Sequence, residues 1–195
     1  RAVAVGTEAL ASQNFTTSVD NYNVAVGYHA GNDVTTGDLN TLIGGLSGDA
    51  LTTGNRNVAV GYVALSTDTL GDRAVAVGYG ALNLQNFTTT TDNYNVAVGH
   101  TAGGAITTGF QNTLIGGIAG DALTDADFNT AVGFQTLSTD TLGSKSTALG
   151  YNALSSQNFT TATDSFNVAV GYNAGVLVTT GTQNTLVGGE AGDAL

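Results

Sequence analysis

The chain contains the phrase Asn23-Val24-Ala25-Val26-Gly27 and returns to it throughout its length. Variants of the phrase close at Gly6, Gly27, Gly44, Gly61, Gly78, Gly99, Gly116, Gly133, Gly150, Gly171 and Gly188, at spacings of 21, 17, 17, 17, 21, 17, 17, 17, 21 and 17. One 21 and three 17s make a unit of 72 residues. Periods of this size mark repeat architectures, in which each turn of chain covers the hydrophobic face of the next. The short β-branched run ending in glycine predicts a strand and a tight turn in each coil. The expected fold is therefore all-β: a parallel β-solenoid of the β-roll or β-helix kind. Residues 1–195 form one continuous array with units 1–72, 73–144 and a partial 145–195. With coils stacked at strand spacing, about 4.8 Å, eleven coils make a rod about 50 Å long.

Within the phrase each position has its own rule. The first is Asn in eight of eleven coils: Asn23, Asn40, Asn57, Asn95, Asn112, Asn129, Asn167 and Asn184. In register these would form a ladder in which each amide donates to the one above and accepts from the one below. The second position is always Val or Thr and the fourth always Val, Ile or Leu. Alternate residues of a strand share a face, so Val24 and Val26 are expected to point inward, in files such as Val26, Ile43 and Val60. The third position is Ala except at Leu42, Leu114 and Leu186. The Ala and Gly face is then expected to lie outside, smooth enough for another chain to pack on it.

Beyond the phrase, the fourth residue after each closing glycine cycles as Leu10, Gly31, Gly48, Leu65, and again in the later units. Gly37, Gly54, Gly71, Gly109, Gly143 and Gly181 recur ten residues after a closing glycine, which predicts a turn with positive φ. The 21-residue coils carry their additional residues around Gln13–Thr17, Gln85–Thr89 and Gln157–Thr161, expected as loops on one side of the stack.

Composition narrows the function. The net charge is −11, with 15 acidic and 4 basic residues, so nucleic acid is not an expected partner. No apolar run approaches the ~20 residues of a membrane helix, and membrane insertion of this segment is not expected. There is no Cys, which excludes disulfides and thiolate metal sites. The chain opens on Arg1-Ala2-Val3-Ala4-Val5-Gly6, the phrase repeated at Arg73–Gly78, and stops inside a unit at Leu195. It is read as a fragment of a longer array.

The phrases Asn-Val-Ala-Val-Gly-Tyr-x-Ala and Ser146-Thr147-Ala148-Leu149-Gly150-Tyr151-Asn152-Ala153-Leu154 resemble the head repeats of trimeric autotransporter adhesins, the YadA-like family. They are more similar still to the Asn-Thr-Ala-x-Gly-Tyr-x-Ala-Leu arrays of phage tail fibres and bacterial surface fibres. The resemblance covers the whole chain, although its coils of 17 and 21 residues are longer than those of the adhesin heads. It implies a β-solenoid, three chains side by side, and an extracellular location on a cell surface or virion.

Candidate sites are few. Catalysis needs unlike groups that converge, and the two histidines, His29 and His100, stand in variable columns, so no enzyme and no cofactor is expected. Gly44–Leu51, repeated at Gly116–Leu123 and Gly188–Leu195, is similar to the calcium-binding β-roll repeat. However, Asp49, Asp121 and Asp193 are a whole unit apart, too far to share an ion that takes 6–8 oxygens. Tyr28, Tyr62, Tyr79, Phe134, Tyr151 and Tyr172 predict an aromatic ladder on the outer wall, with a sugar platform as the alternative. Asn14, Asn86 and Asn158 head N-glycosylation sequons, and Thr69 and Thr141 stand in Asp-Thr-Leu, similar to a bacterial O-glycosylation motif.

The functional expectation is a structural shaft or stalk of an extracellular fibre or adhesin, self-associated as a homotrimer or end-to-end filament and holding a distal binding tip. The alternative is a glycan- or matrix-binding head. An ice-binding solenoid is a third reading, but it requires Thr-x-Thr columns, and here the recurring pair is Thr-Thr.

Overall fold

The computed structural model describes residues 1–194. The chain winds into a β-solenoid with no helix among the described residues. Eleven three-residue strands form one parallel sheet: Val3–Val5, Val24–Val26, Thr41–Ile43, Val58–Val60, Val75–Val77, Val96–Val98, Thr113–Ile115, Thr130–Val132, Thr147–Leu149, Val168–Val170 and Thr185–Val187. Each strand pairs with the equivalent strand of the next coil, with Val24 against Thr41 and Thr41 against Val58. The longer coils keep the same register, Val75 against Val96. Backbone pairing continues outside the strands. Leu65 N–H, for example, donates to Ala81 C=O at 3.0 Å.

The stacking is as expected, but the faces are reversed. Val26, Ile43 and Val60 do form one file, coil over coil, yet that file lies on the outer wall, where Ile43 is 39% exposed. The residue between them points inward: Ala25, Leu42, Ala59, Ala76, Ala97, Leu114, Ala131, Ala148 and Ala169 are fully buried. The physical reason is bore. Each coil turns so tightly that its interior holds one side chain per strand, alanine in most coils and leucine once per unit, while the β-branched residues suit the exposed pleat. The closing glycines are also small for an internal reason. A Cβ on Gly27 would collide with the Gly44 carbonyl oxygen of the next coil, and the same clash recurs up the stack. Their φ values, 128° to 145°, are closed to other residues.

The 72-residue unit has a packing origin. Leu42 enters the core from its strand, and Gly31 and Gly48 leave the room it fills. Coils whose strand brings Ala59 or Ala76 instead carry Leu65 or Leu82 at the glycine position, also fully buried. Core volume is thus held roughly constant while its source alternates, as close packing requires.

Corners are built from left-handed backbone at residues that sequence does not flag. Leu39, Arg56, Arg73 and Phe128 stand just before the Asn column at φ of 57° to 64°. Val63, Gln135 and Asn152 stand two residues after a closing glycine at 52° to 57°. By contrast Gly37, Gly54 and Gly109 do not have positive φ. They are glycine because a Cβ would strike the backbone of the next coil, at Gly54, Gly71 and Ala126 respectively.

Candidate binding surfaces

The Asn column is built inside the solenoid but not as an amide-to-amide ladder. Asn23 Nδ2 donates to Gly37 C=O at 2.8 Å, bracing the strand against the far corner of its own coil. Asn23 Oδ1 accepts the backbone N–H of Asn40 at 2.9 Å. The pattern repeats with Asn40 to Gly54, Asn57 to Gly71, Asn129 to Gly143 and Asn167 to Gly181. Asn95 donates to Gly109 and Asn112 to Ala126, while Asn184 N–H donates to Asn167 Oδ1. Side-chain to side-chain bonds between successive asparagines are secondary, 3.4 Å from Asn112 to Asn95 and 3.1 Å from Asn184 to Asn167. Backbone groups are the better partners because each coil leaves one buried carbonyl and one buried N–H at this corner.

The longer coils are keyed to the coil before them. Gln85 and Asn86 remain in the ordinary 17-residue register, and the additional chain emerges after Phe87, at exposed Thr88–Thr90. Phe87 and Phe159 are buried, at 6% exposure. Beneath them Asp68 is fully buried and fully bonded. Its Oδ1 accepts Gly71 and Phe87 N–H, at 3.1 and 3.0 Å, and its Oδ2 accepts Gln85 Nε2 at 2.6 Å. Burial pushes its carboxyl above the usual carboxylate range, against the pull of those hydrogen bonds. Asp140 and Gln157 repeat the arrangement. The exit of each longer coil is pinned by a cation, with Arg73 paired to Asp92 and lying over Tyr94, and Lys145 paired to Asp164 and lying over Phe166.

This places Asn86 and Asn158 within the wall rather than in free loops. Asn86 Oδ1 accepts Thr69 Oγ1 at 3.1 Å, and Asn158 accepts Thr141 at 3.3 Å, so the two classes of glycosylation candidate bond to each other. Asn14, in the first coil, is exposed.

The aromatic column forms two stacks. Tyr62, Tyr79 and His100 lie with ring centroids 5.8 and 5.1 Å apart, and Phe134, Tyr151 and Tyr172 at 5.7 and 5.3 Å. Gly117 separates them. The tyrosine edges are about half exposed. His100 is a member of this stack. His29 Nε2 instead meets Glu8 Oε2 at 2.6 Å. No group of three or more His, Asp or Glu side chains suited to a metal converges among the described residues. The outer strand face carries Val or Thr in one file and Val, Ile or Leu in the other along all eleven strands.

A surface hollow of about 330 Å³ opens beside the first aromatic stack, lined by Tyr79, Gly80, Asn83, Gly104 and Asp121 among others. Asp121 is half-buried, and its Oδ1 is buried with no hydrogen-bond partner. Desolvation raises its carboxyl above the ordinary value. Neither the hollow nor the Asp68–Gln85 key was visible in the sequence, because each depends on which residues meet across coils. The recurrence of Asp68 with Gln85 and Asp140 with Gln157, 17 residues apart, was the available signal for the second. Comparison with protein-family models, curated proteins and solved structures found no match.

Proposed function

We propose that the chain is a length of shaft in an extracellular fibre of a virion or cell surface, stiff along its axis and holding a distal binding tip away from its anchor. The observation that carries this reading is the unbroken eleven-strand sheet, in which every coil is hydrogen-bonded to the next in one register. Bending or stretching such a rod must break several backbone bonds per coil together, which suits a mechanical role. Repetition of the same coil along the whole stack supports the same conclusion. The shaft associates with itself as a homotrimer, or extends as an end-to-end filament. The contact face is the outer file of Val26, Ile43, Val60 and Ile115 rather than the alanine file, which is occupied inside each coil. A continuous, partly exposed apolar strip of this length favours a protein partner over water.

Sedimentation equilibrium at high concentration tests the proposal. A mass of three chains is expected, falling to one chain in the variant Ile43→Lys with Ile115→Lys. A monomer at every concentration would overturn the trimer. A glycan- or matrix-binding head is the second reading, favoured by the half-exposed Tyr62–Tyr79 stack. Glycan binding abolished by Tyr62→Ala with Tyr79→Ala would establish it instead.

A further inference from the structure

The hollow beside Tyr79 breaks the 72-residue symmetry, and comparison of its surroundings between units indicates what it takes. In the first unit the positions of Gly80, Thr101 and Gly104 hold Glu8, His29 and Asn32. There Glu8 and His29 pair with each other at 2.6 Å, and Asn32 Nδ2 donates to Glu8 C=O at 3.3 Å. Asp49 occupies the position of Asp121, with the same buried, unbonded Oδ1. The two carboxylates differ in what lies near them. In the first unit the neighbouring coil brings His29 to this position, whereas in the second it brings Thr101, which lines the hollow with Asp121. In the third unit Asn152, Asn173 and Val176 hold the three positions. Only the second unit sets two glycines there, and a Cβ on Gly80 would touch nothing nearer than Thr101 Cγ2 at 3.4 Å. The second unit therefore removes the internal base and leaves a space in its place, next to an aromatic wall.

We propose that this hollow receives the protonated amine of a small organic ligand, its ammonium against the Asp121 carboxylate and its carbon body against the Tyr79 ring. A carboxylate beside an aromatic face is the pairing that recognises organic cations. The net charge of −11 concentrates cations at the surface. Asn83 Oδ1 already accepts Ser66 Oγ at 2.6 Å, and Asp121 is the charged side chain lining the hollow. The space exceeds what one ammonium group needs and admits a body the size of a single sugar ring.

The test is an NMR titration of the 195-residue chain with glucosamine and, separately, with N-acetylglucosamine, whose ring is the same but whose nitrogen carries no charge. Shifts at Tyr79, Gly80 and Gly104 with glucosamine alone are expected. Asp121→Asn should weaken that binding at least about tenfold, as loss of a charged hydrogen-bond partner does. Gly104→Val, which installs the residue found at 176, should abolish it by filling the space. Asp49→Asn should leave it unchanged. Equal binding of the two sugars would overturn the proposal and assign the hollow to a neutral glycan. Absence of shifts at tens of millimolar, or full binding by the folded Asp121→Asn variant, would overturn it outright.

Discussion

A Cβ built on Gly31 would stand 2.6 Å from Leu42 Cδ1: the two residues share one interior space, and the leucine holds it. In other coils the same space is filled from the opposite side, by Leu65 or Leu82 over an alanine strand. Leu42→Ala should therefore cost roughly 3–5 kcal/mol, the range for emptying a core leucine site. Gly31→Leu alone should also destabilise, by overpacking. The double variant should recover at least about 1 kcal/mol relative to the sum, because it moves the side chain rather than deleting it. A double-mutant cycle by denaturant unfolding checks this, and simple additivity would refute the shared-space account.

Asn57 braces two buried backbone groups, donating to Gly71 C=O at 2.9 Å and accepting Ala74 N–H at 2.8 Å. Asn57→Ala leaves both unpaired inside the stack. The expected loss is roughly 2–6 kcal/mol, at about 1–3 for each of the two orphaned buried groups. Hydrogen exchange should report it locally, with the Ala74 amide losing protection before distant coils do.

Val63 is a β-branched residue held at φ 52°. Left-handed backbone costs an ordinary residue about 1–2 kcal/mol, and Asn pays less of it. Asn152 and Asn173 already occupy this column at the same φ. Val63→Asn should raise stability by about 1 kcal/mol, seen as a higher melting temperature. A decrease would mean that the valine contributes packing that outweighs its strain.

Asp68 sets a pH dependence. Its folded pKa lies above the unfolded value of 3.8 because burial disfavours the charged form. Between the two values the folded state binds more protons than the unfolded state, so stability falls as pH rises through that window. The contribution is complete below 3.8 and lost above the folded pKa. Asp49, Asp121 and Asp127 are shifted the same way by burial. The melting temperature should therefore rise as the solution is brought from neutral towards pH 4, and Asp68→Asn should flatten part of that slope. A protein that melts steadily lower over the same range would contradict the assignment.

Much of this architecture was legible in the sequence. The closing glycines predict the register, and Val24 does lie against Thr41, and Thr41 against Val58. The sidedness was misread because small residues look like a surface prepared for a neighbour, whereas here they line a narrow bore. Leu42, Gly31 and Gly48 already contradicted that reading, since a leucine that recurs with two glycines in the same unit points to volume exchange inside. The left-handed corners at Leu39 and Val63 could not be read, because neither residue type favours that backbone and only the stack enforces it. The amine hollow was illegible for a different reason. It consists of side chains absent at Gly80 and Gly104, which are neighbours only through coiling.

The exchange of leucine for glycine from coil to coil also has a meaning for errors of assembly. Were a growing stack to skip the 17-residue turn of Gly31, Leu42 would meet Leu10 where it now meets that glycine. Such a slip sets leucine against leucine in the interior. Only a jump of a whole 72-residue unit reproduces the native neighbours, so the array works as a vernier: its strands could mesh at any turn, but its interior fits at one turn in four.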